Sequence, residues 1–252
     1  MVAAKSIASA MDVIVSKQKA AGKPLAIVLA GHNGSGKSTF WYEKGIADSL
    51  QIPLINADRM MLSILPDPNK YGHLPEWAQK LRDTDHAWMK VAQRGVFEFV
   101  ETAKAQRVLF ALETVFSHWK ENPDGTIESK IDVIKGLQRA GYFVLLLFVG
   151  LASVALSIGR VATRKKEGGH DVPYRSLVAR FPRTQKAIRA AIPVADAALL
   201  VDNSRTKARA FTLCAARIRQ KKLFDIREEP KAVPAEILEW LKVVAPIGRL
   251  QA

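Results

Sequence analysis

The nine residues Gly31-His32-Asn33-Gly34-Ser35-Gly36-Lys37-Ser38-Thr39 constrain the fold more than any other stretch. They match the phosphate-binding loop in full: glycine, four residues, then Gly-Lys-Ser. Before them runs Leu25-Ala26-Ile27-Val28-Leu29-Ala30, an apolar segment suited to a buried parallel strand. After them Phe40-Trp41-Tyr42-Glu43-Lys44 continues as a helix. Strand, glycine loop and helix in that order is the context such a loop needs. A bare glycine turn between a strand and a helix would not require the whole pattern, so nucleotide binding is the expectation.

The chemistry of each residue type agrees. The glycines let backbone N–H groups turn inward on phosphate oxygens, at the positive end of the helix dipole. The expected nucleotide-binding set is Gly31, Asn33, Gly34, Ser35, Gly36, Lys37, Ser38 and Thr39. Lys37 should reach the β- and γ-phosphates of ATP, and the Ser38 hydroxyl should be a Mg2+ ligand.

A chain of 252 residues can hold one α/β domain with a large core. The single cysteine, Cys214, excludes an internal disulfide and fits a reducing, cytoplasmic setting. It lies in an apolar stretch and reads as a core thiol. Net charge is +14, from 38 Lys and Arg against 24 Asp and Glu. Such an excess can attract nucleic acid or a membrane surface, or serve small phosphorylated ligands. Much of it falls at 160–189 and 205–227, and the phosphate loop favours the small-ligand reading over both. No signal-peptide layout opens the chain. Residues 140–159 carry no charge, long enough to suggest a membrane span. Gly150 divides them, however, into a strand at 143–149 and a helix whose Leu151, Val154, Ala155 and Ile158 recur at helical spacing.

Read in order, the chain begins with a helix over 1–23, with Ile7, Met11 and Ile14 as its apolar stripe. A second strand, 53–58, ends on Asp58 at the carboxyl edge where open α/β sheets bind ligands. Residues 59–75 read as loop, and 75–106 as one long helix or a broken pair. A third strand, 108–112, delivers Glu113 and Thr114 to the same edge. After an Asn-Pro-Asp-Gly turn, 127–140 reads as a helix. The helix after the fourth strand ends in Arg160, Arg164, Lys165 and Lys166, and Gly168-Gly169 reads as a hinge to a second basic helix carrying Arg180. The fifth strand is 198–202. Beyond it, 211–216 suggests a strand and 234–244 a helix. Alternation of strand and helix predicts a P-loop type of α/β fold: a mostly parallel sheet, helices on both faces and a helical basic lid. The expected organisation is one domain over 1–252, with its core at 25–205, the lid at 160–190 and an extension from 206.

Three P-loop classes compete. A transport ATPase needs a Leu-Ser-Gly-Gly-Gln loop and four apolar residues before Asp-Glu, and neither is found. A nucleic-acid-linked ATPase fits the charge, but no helicase motif or aromatic stacking platform accompanies it. A small-molecule kinase needs a base at the end of the second strand and arginines on a lid, and both are found.

The loop, Ile55-Asn56-Ala57-Asp58, Glu113-Thr114-Val115-Phe116-Ser117, and Arg160-Val161 through Gly168-Gly169-His170-Asp171-Val172-Pro173 together resemble the zeta-toxin kinase family, in its proteobacterial branch. The resemblance spans roughly 25–205. It implies an ATP- and Mg2+-dependent kinase that phosphorylates the 3′-hydroxyl of the sugar of UDP-N-acetylglucosamine. A plant-pathogen relative phosphorylates NAD instead, so NAD or a similar nucleotide is the alternative acceptor. It also implies a small helical antitoxin as partner, which no residue of this chain attests. On the family's pattern Asp58 is the catalytic base, with an N-cap as its bland alternative. Two lid arginines clamp the migrating phosphoryl group, with Arg164 and Arg180 favoured and Arg160 next. Asn56, Asp58, Glu113, Thr114 and His170 are expected at the acceptor. The spacing at Thr114 departs from the firmicute toxins, and Glu113 could instead pair with a lid arginine. His32, inside the loop, reads as a tolerated variable position.

Overall fold

The computed structural model of the chain describes residues 5–247. Its first half runs α1 (Ile7–Ala20), β1 (Leu25–Gly31), α2 (Lys37–Glu43), α3 (Ile46–Leu50), β2 (Leu54–Ile55), α4 (Ala57–Leu62), α5 (Glu76–Thr84), α6 (His86–Gln106) and β3 (Phe110–Thr114). A small hairpin, β4 (Trp119–Glu121) and β5 (Ile127–Ser129), precedes α7 (Ile131–Arg139). The rest is β6 (Phe143–Gly150), α8 (Val154–Lys166), α9 (Tyr174–Ala191), β7 (Ala197–Asp202), β8 (Thr212–Ile218), β9 (Lys221–Asp225) and α10 (Ala235–Val244).

Seven strands form one sheet in the order β2-β3-β1-β6-β7-β8-β9. The five from β2 to β7 are parallel, and β8 and β9 add antiparallel to them. Strands buried on both faces must be apolar throughout, and β1 and β6 are. Alternation then sorts their side chains. Ala26, Val28, Val144, Leu146 and Phe148 join one core with α7, α9 and α10. Leu25, Ile27, Leu29, Leu145 and Leu147 join the other with α1 and α2. Each fully buried leucine contributes about 1.5–3 kcal/mol of apolar burial, so this central pair of strands fixes the platform from which the loops project.

The stretch 75–106 is a broken pair of helices. Asp85 ends α5 and caps α6, its carboxylate accepting from the Trp88 N–H at 2.9 Å. Two expectations are corrected. Residues 127–129 are strand, and the helix begins only at Ile131. The second strand ends at Ile55, and α4 starts at Ala57, within the stretch expected as strand, and runs to Leu62 in the stretch expected as loop, so Asp58 sits in a helical first turn rather than on a strand. No helix among the described residues is long and apolar enough to cross a membrane. Cys214 is fully buried in β8, and burial pushes its thiol far above the ordinary range, as suits a core residue.

Candidate active site

The phosphate loop leaves β1 at Gly31 and enters α2 at Lys37. Gly34 and Gly36 have φ of +71° and +83°, the left-handed region that side chains disfavour. Lys37 is 9% exposed. Its ammonium donates to the carbonyls of His32 (3.2 Å) and Gly31 (3.4 Å) and lies 3.8 Å from Glu113 Oε1. Burial lowers its pKa, and Arg164 adds to that, while Glu113 and Asp58 oppose it.

Strand register brings Glu113 to this point. Leu29 pairs with Glu113 and Ile55 with Leu112, so Glu113 stands between the phosphate loop and Asn56. Ser38 Oγ donates to Glu113 Oε2 at 3.1 Å, and Asn56 Nδ2 donates to the same oxygen at 2.7 Å. The Asn56 side chain also caps α4, its Oδ1 accepting from the N–H groups of Asp58 (2.8 Å) and Arg59 (3.3 Å). Capping thus belongs to Asn56, and the Asp58 carboxylate is left to face a cleft of about 530 Å³.

Two clefts meet here. The larger is lined by Asp58, Thr114, His170 and Arg180. The smaller, about 370 Å³, lies over the loop against Ser38, Thr39, Arg160 and Asn203. Gly34, Lys37, Glu113 and Arg164 border both. Arg160 and Arg164 come from α8 and Arg180 from α9. Burial works against the Arg160 charge, with Asp202 pulling the other way. Every residue expected at the acceptor or the phosphoryl group therefore borders one or both of these clefts. Thr114 also accepts from the Phe116 N–H at 3.3 Å through its hydroxyl.

The Gly168-Gly169 segment is held by several contacts in this conformation. Buried Arg82 donates to the carbonyls of Gly168 (2.9 Å) and Gly169 (3.3 Å), and Gly169 N–H donates to Arg164 O at 2.8 Å. A Cβ on Gly168 would lie 2.1 Å from the Gly72 carbonyl oxygen. His170 Nδ1 lies 2.8 Å from Asp83 Oδ1, and Arg164 donates to the His170 carbonyl at 2.8 Å. Burial alone would raise the Asp83 pKa, but hydrogen bonds from Arg82 and His170 hold it below the ordinary value.

His32 is not a free position. It is 1% exposed, accepts from the Leu151 N–H at 3.2 Å through Nδ1, and stacks on Phe181 with ring centroids 4.0 Å apart. Burial first, and the nearby Lys37 charge second, lower its pKa to about 3, so it is neutral. Sequence reasoning also missed two polar residues that hold carbonyls of the loop. Ser157 donates to the Asn33 carbonyl at 2.7 Å, and Asn203 Nδ2 donates to the Ser35 carbonyl at 2.9 Å.

Comparison with known proteins follows the same lines. An uncharacterized protein of Haemophilus influenzae is 29% identical over 145 residues, 58% of this chain and 84% of that protein. Two solved structures share the fold. A chain of the AvrRxo1-ORF1:AvrRxo1-ORF2 structure with sulphate ions aligns with TM-score 0.58 and 15% identity over 96% of this chain and 71% of its own. A structure from the PezAT toxin–antitoxin system of Streptococcus pneumoniae aligns with TM-score 0.52 and 13% identity over 97% and 90%. The family model described as Zeta toxin matches residues 11–212, most of the chain and every element of the two clefts. The chain therefore belongs to the zeta toxin family and is an ATP-dependent phosphotransferase of the P-loop kinase type.

Proposed function

We propose that the protein moves the γ-phosphoryl group of ATP to a hydroxyl of a small acceptor held in the larger cleft. One observation carries this reading: two clefts, one over the phosphate loop and one beside Asp58, share Lys37, Glu113 and Arg164 at their junction. A phosphoryl group crossing from one to the other passes between a carboxylate and fixed cations. Phosphoryl transfer depends on such positioning and charge stabilisation more than on covalent chemistry.

In this reading Asp58 aligns the acceptor hydroxyl and takes its proton as the P–O bond forms. Its carboxylate is available because Asn56 does the capping. Lys37 neutralises the β- and γ-phosphates. Arg164 and Arg180 stabilise the equatorial oxygens as charge spreads over them, with Arg160 beside the nucleotide. The Ser38 hydroxyl and the Glu113 carboxylate, 3.1 Å apart, are a hard-oxygen pair suited to Mg2+. Bound there, the ion would supply positive charge against the negative charge of the phosphates. This contact favours Glu113 at the phosphates over a purely acceptor-side role. Asn56 holds it in register, and Thr114 and His170 border the acceptor.

The proposed acceptor is the sugar of UDP-N-acetylglucosamine, with NAD as the alternative, and the proposed setting is the cytoplasm, where ATP is plentiful. A small antitoxin partner is proposed by analogy with the toxin–antitoxin assembly named for the pneumococcal relative. The test is incubation of the purified protein with γ-labelled ATP and Mg2+ against UDP-sugars, NAD and nucleosides, with product masses determined. A UDP-N-acetylglucosamine product heavier by one phosphate is expected. ATP hydrolysis stimulated by DNA, with no phosphorylated small molecule, would overturn the reading.

A further inference from the structure

The phosphate loop must do something awkward. It has to present several N–H groups to an anion while its carbonyls, equally polar, point elsewhere and find donors of their own. Four of those carbonyls take side-chain donors. Lys37 serves Gly31 and His32. The other two are served from distant parts of the chain. Ser157, in the first turn of α8 and 2% exposed, donates to Asn33 O at 2.7 Å. Asn203, just past the end of β7 and 7% exposed, donates to Ser35 O at 2.9 Å. Its own N–H is tied to the Gly150 carbonyl at 3.0 Å, so the side chain starts from a fixed point on the sheet.

The described peptide bonds are all trans. In a planar trans peptide the C=O and the following N–H point in opposite directions. A donor that captures the Asn33 carbonyl therefore aims the Gly34 N–H the other way. One that captures the Ser35 carbonyl does the same for the Gly36 N–H. Gly34 and Gly36 both border the cleft over the loop. The outer side of the loop is closely packed. A Cβ on Gly34 would lie 3.1 Å from Arg160 Cβ, and one on Gly36 would lie 2.8 Å from Asn203 Nδ2.

We infer that Ser157 and Asn203 are positioning residues for the nucleotide, turning the Gly34 and Gly36 N–H groups onto its phosphates before it arrives. The inference rests on the nucleotide-binding reading of the loop and adds to it two residues outside the motif. Asn203 also borders the cleft over the loop, but its proposed role is exerted through the peptides. Both residues act by removing the alternative in which a peptide flips and offers its carbonyl to the phosphate.

The variants are Ser157→Ala and Asn203→Ala. Each removes the donor without adding charge beside the cleft that Asn203 borders. Binding of ATP and of inorganic pyrophosphate is measured by calorimetry at 15 °C, with urea unfolding of the same preparations. Both variants should weaken both probes by about tenfold, the worth of one net buried hydrogen bond at its upper range. The equal effect on pyrophosphate shows that the loop itself, not contact with base or ribose, has been altered. Unchanged affinities, with only the urea midpoint lowered, would overturn the inference and leave both residues purely structural. Weaker ATP binding with unchanged pyrophosphate binding would overturn it too. If Asn203→Ala does not fold, Ser157→Ala decides alone. Failure of the nucleotide reading is separate: it appears as wild-type protein that binds neither probe.

Discussion

His32 offers a prediction whose size follows from the structure. Its ring is buried between Phe181 and Phe148, and its pKa falls from 6.5 to about 3. In the unfolded chain the same imidazole takes its proton near 6.5. Because the folded-state value is the lower one, unfolding takes up a proton at every pH between the two. Stability is then fully present above about 6.5 and is lost progressively as pH falls toward 3. Between pH 7.5 and 5.0 the linkage amounts to about 2 kcal/mol. For a chain of this length that is a drop in Tm of about 4–8 °C from one residue. His32→Phe keeps an aromatic ring against Phe181 but cannot titrate. It also loses the acceptor for the Leu151 N–H, at a cost of about 1–3 kcal/mol that does not depend on pH. The assay is urea unfolding of both proteins at pH 7.5 and 5.0, comparing the change with pH rather than the absolute values. Every other titrating group contributes equally to both and cancels. His32→Phe should lose about 2 kcal/mol less than wild type on acidification. Equal losses would refute the claim that a neutral imidazole joins the loop to α9.

Asp58→Asn should keep ATP binding and cut turnover by roughly 10²–10⁴-fold, or about 3–5 kcal/mol of transition-state stabilisation. Because Asn56 caps α4, its Tm should move by only a few degrees, and near-normal turnover in the folded variant would remove Asp58 from the mechanism. Lys37→Ala should abolish most product formation while circular dichroism shows a retained fold; wild-type turnover would count against the phosphate loop as the ATP site. Gly168→Ala should destabilise the protein by about 1–3 kcal/mol, because the residue sits at φ +82° and its new Cβ meets the Gly72 carbonyl. Limited proteolysis reads this out as faster cleavage in 160–175, and an unchanged pattern would mean the segment is not anchored there.

What could be read beforehand was local in the chain. The phosphate loop announces itself because strand, glycines, lysine and helix are contiguous, and 143–149 does so because a strand buried on both faces tolerates no polar residue. Glu113 is legible because it closes the apolar run of β3, whereas Asp58 lies in α4, three residues past the end of β2. Residues 127–129 were absorbed into a helix because Ile127, Ile131 and Ile134 share helical spacing, and three residues are too few to show alternation. β9 begins Lys221-Lys222, which hides a strand from any apolar pattern. Partners far apart in the chain left no local trace. Nothing near His32 points to Phe181, and Ser157 and Asn203 lie 124 and 168 residues from the carbonyls they serve. Glycine permits both bending and close approach, so the sequence of Gly168-Gly169 alone does not reveal the contact with Gly72.

The two rims of the main sheet are built unlike its centre, and this bears on how the molecule behaves among copies of itself. An unpaired strand edge is a template on which another chain can add a strand. At one rim β2 offers a ladder only two residues long. At the other, β9 opens with two exposed lysines and its pairing with β8 is interrupted by a register shift. A docking strand would gain few hydrogen bonds at the first rim and would have to strip water from ammonium groups at the second. Edge-to-edge growth of the sheet is thus disfavoured at both ends.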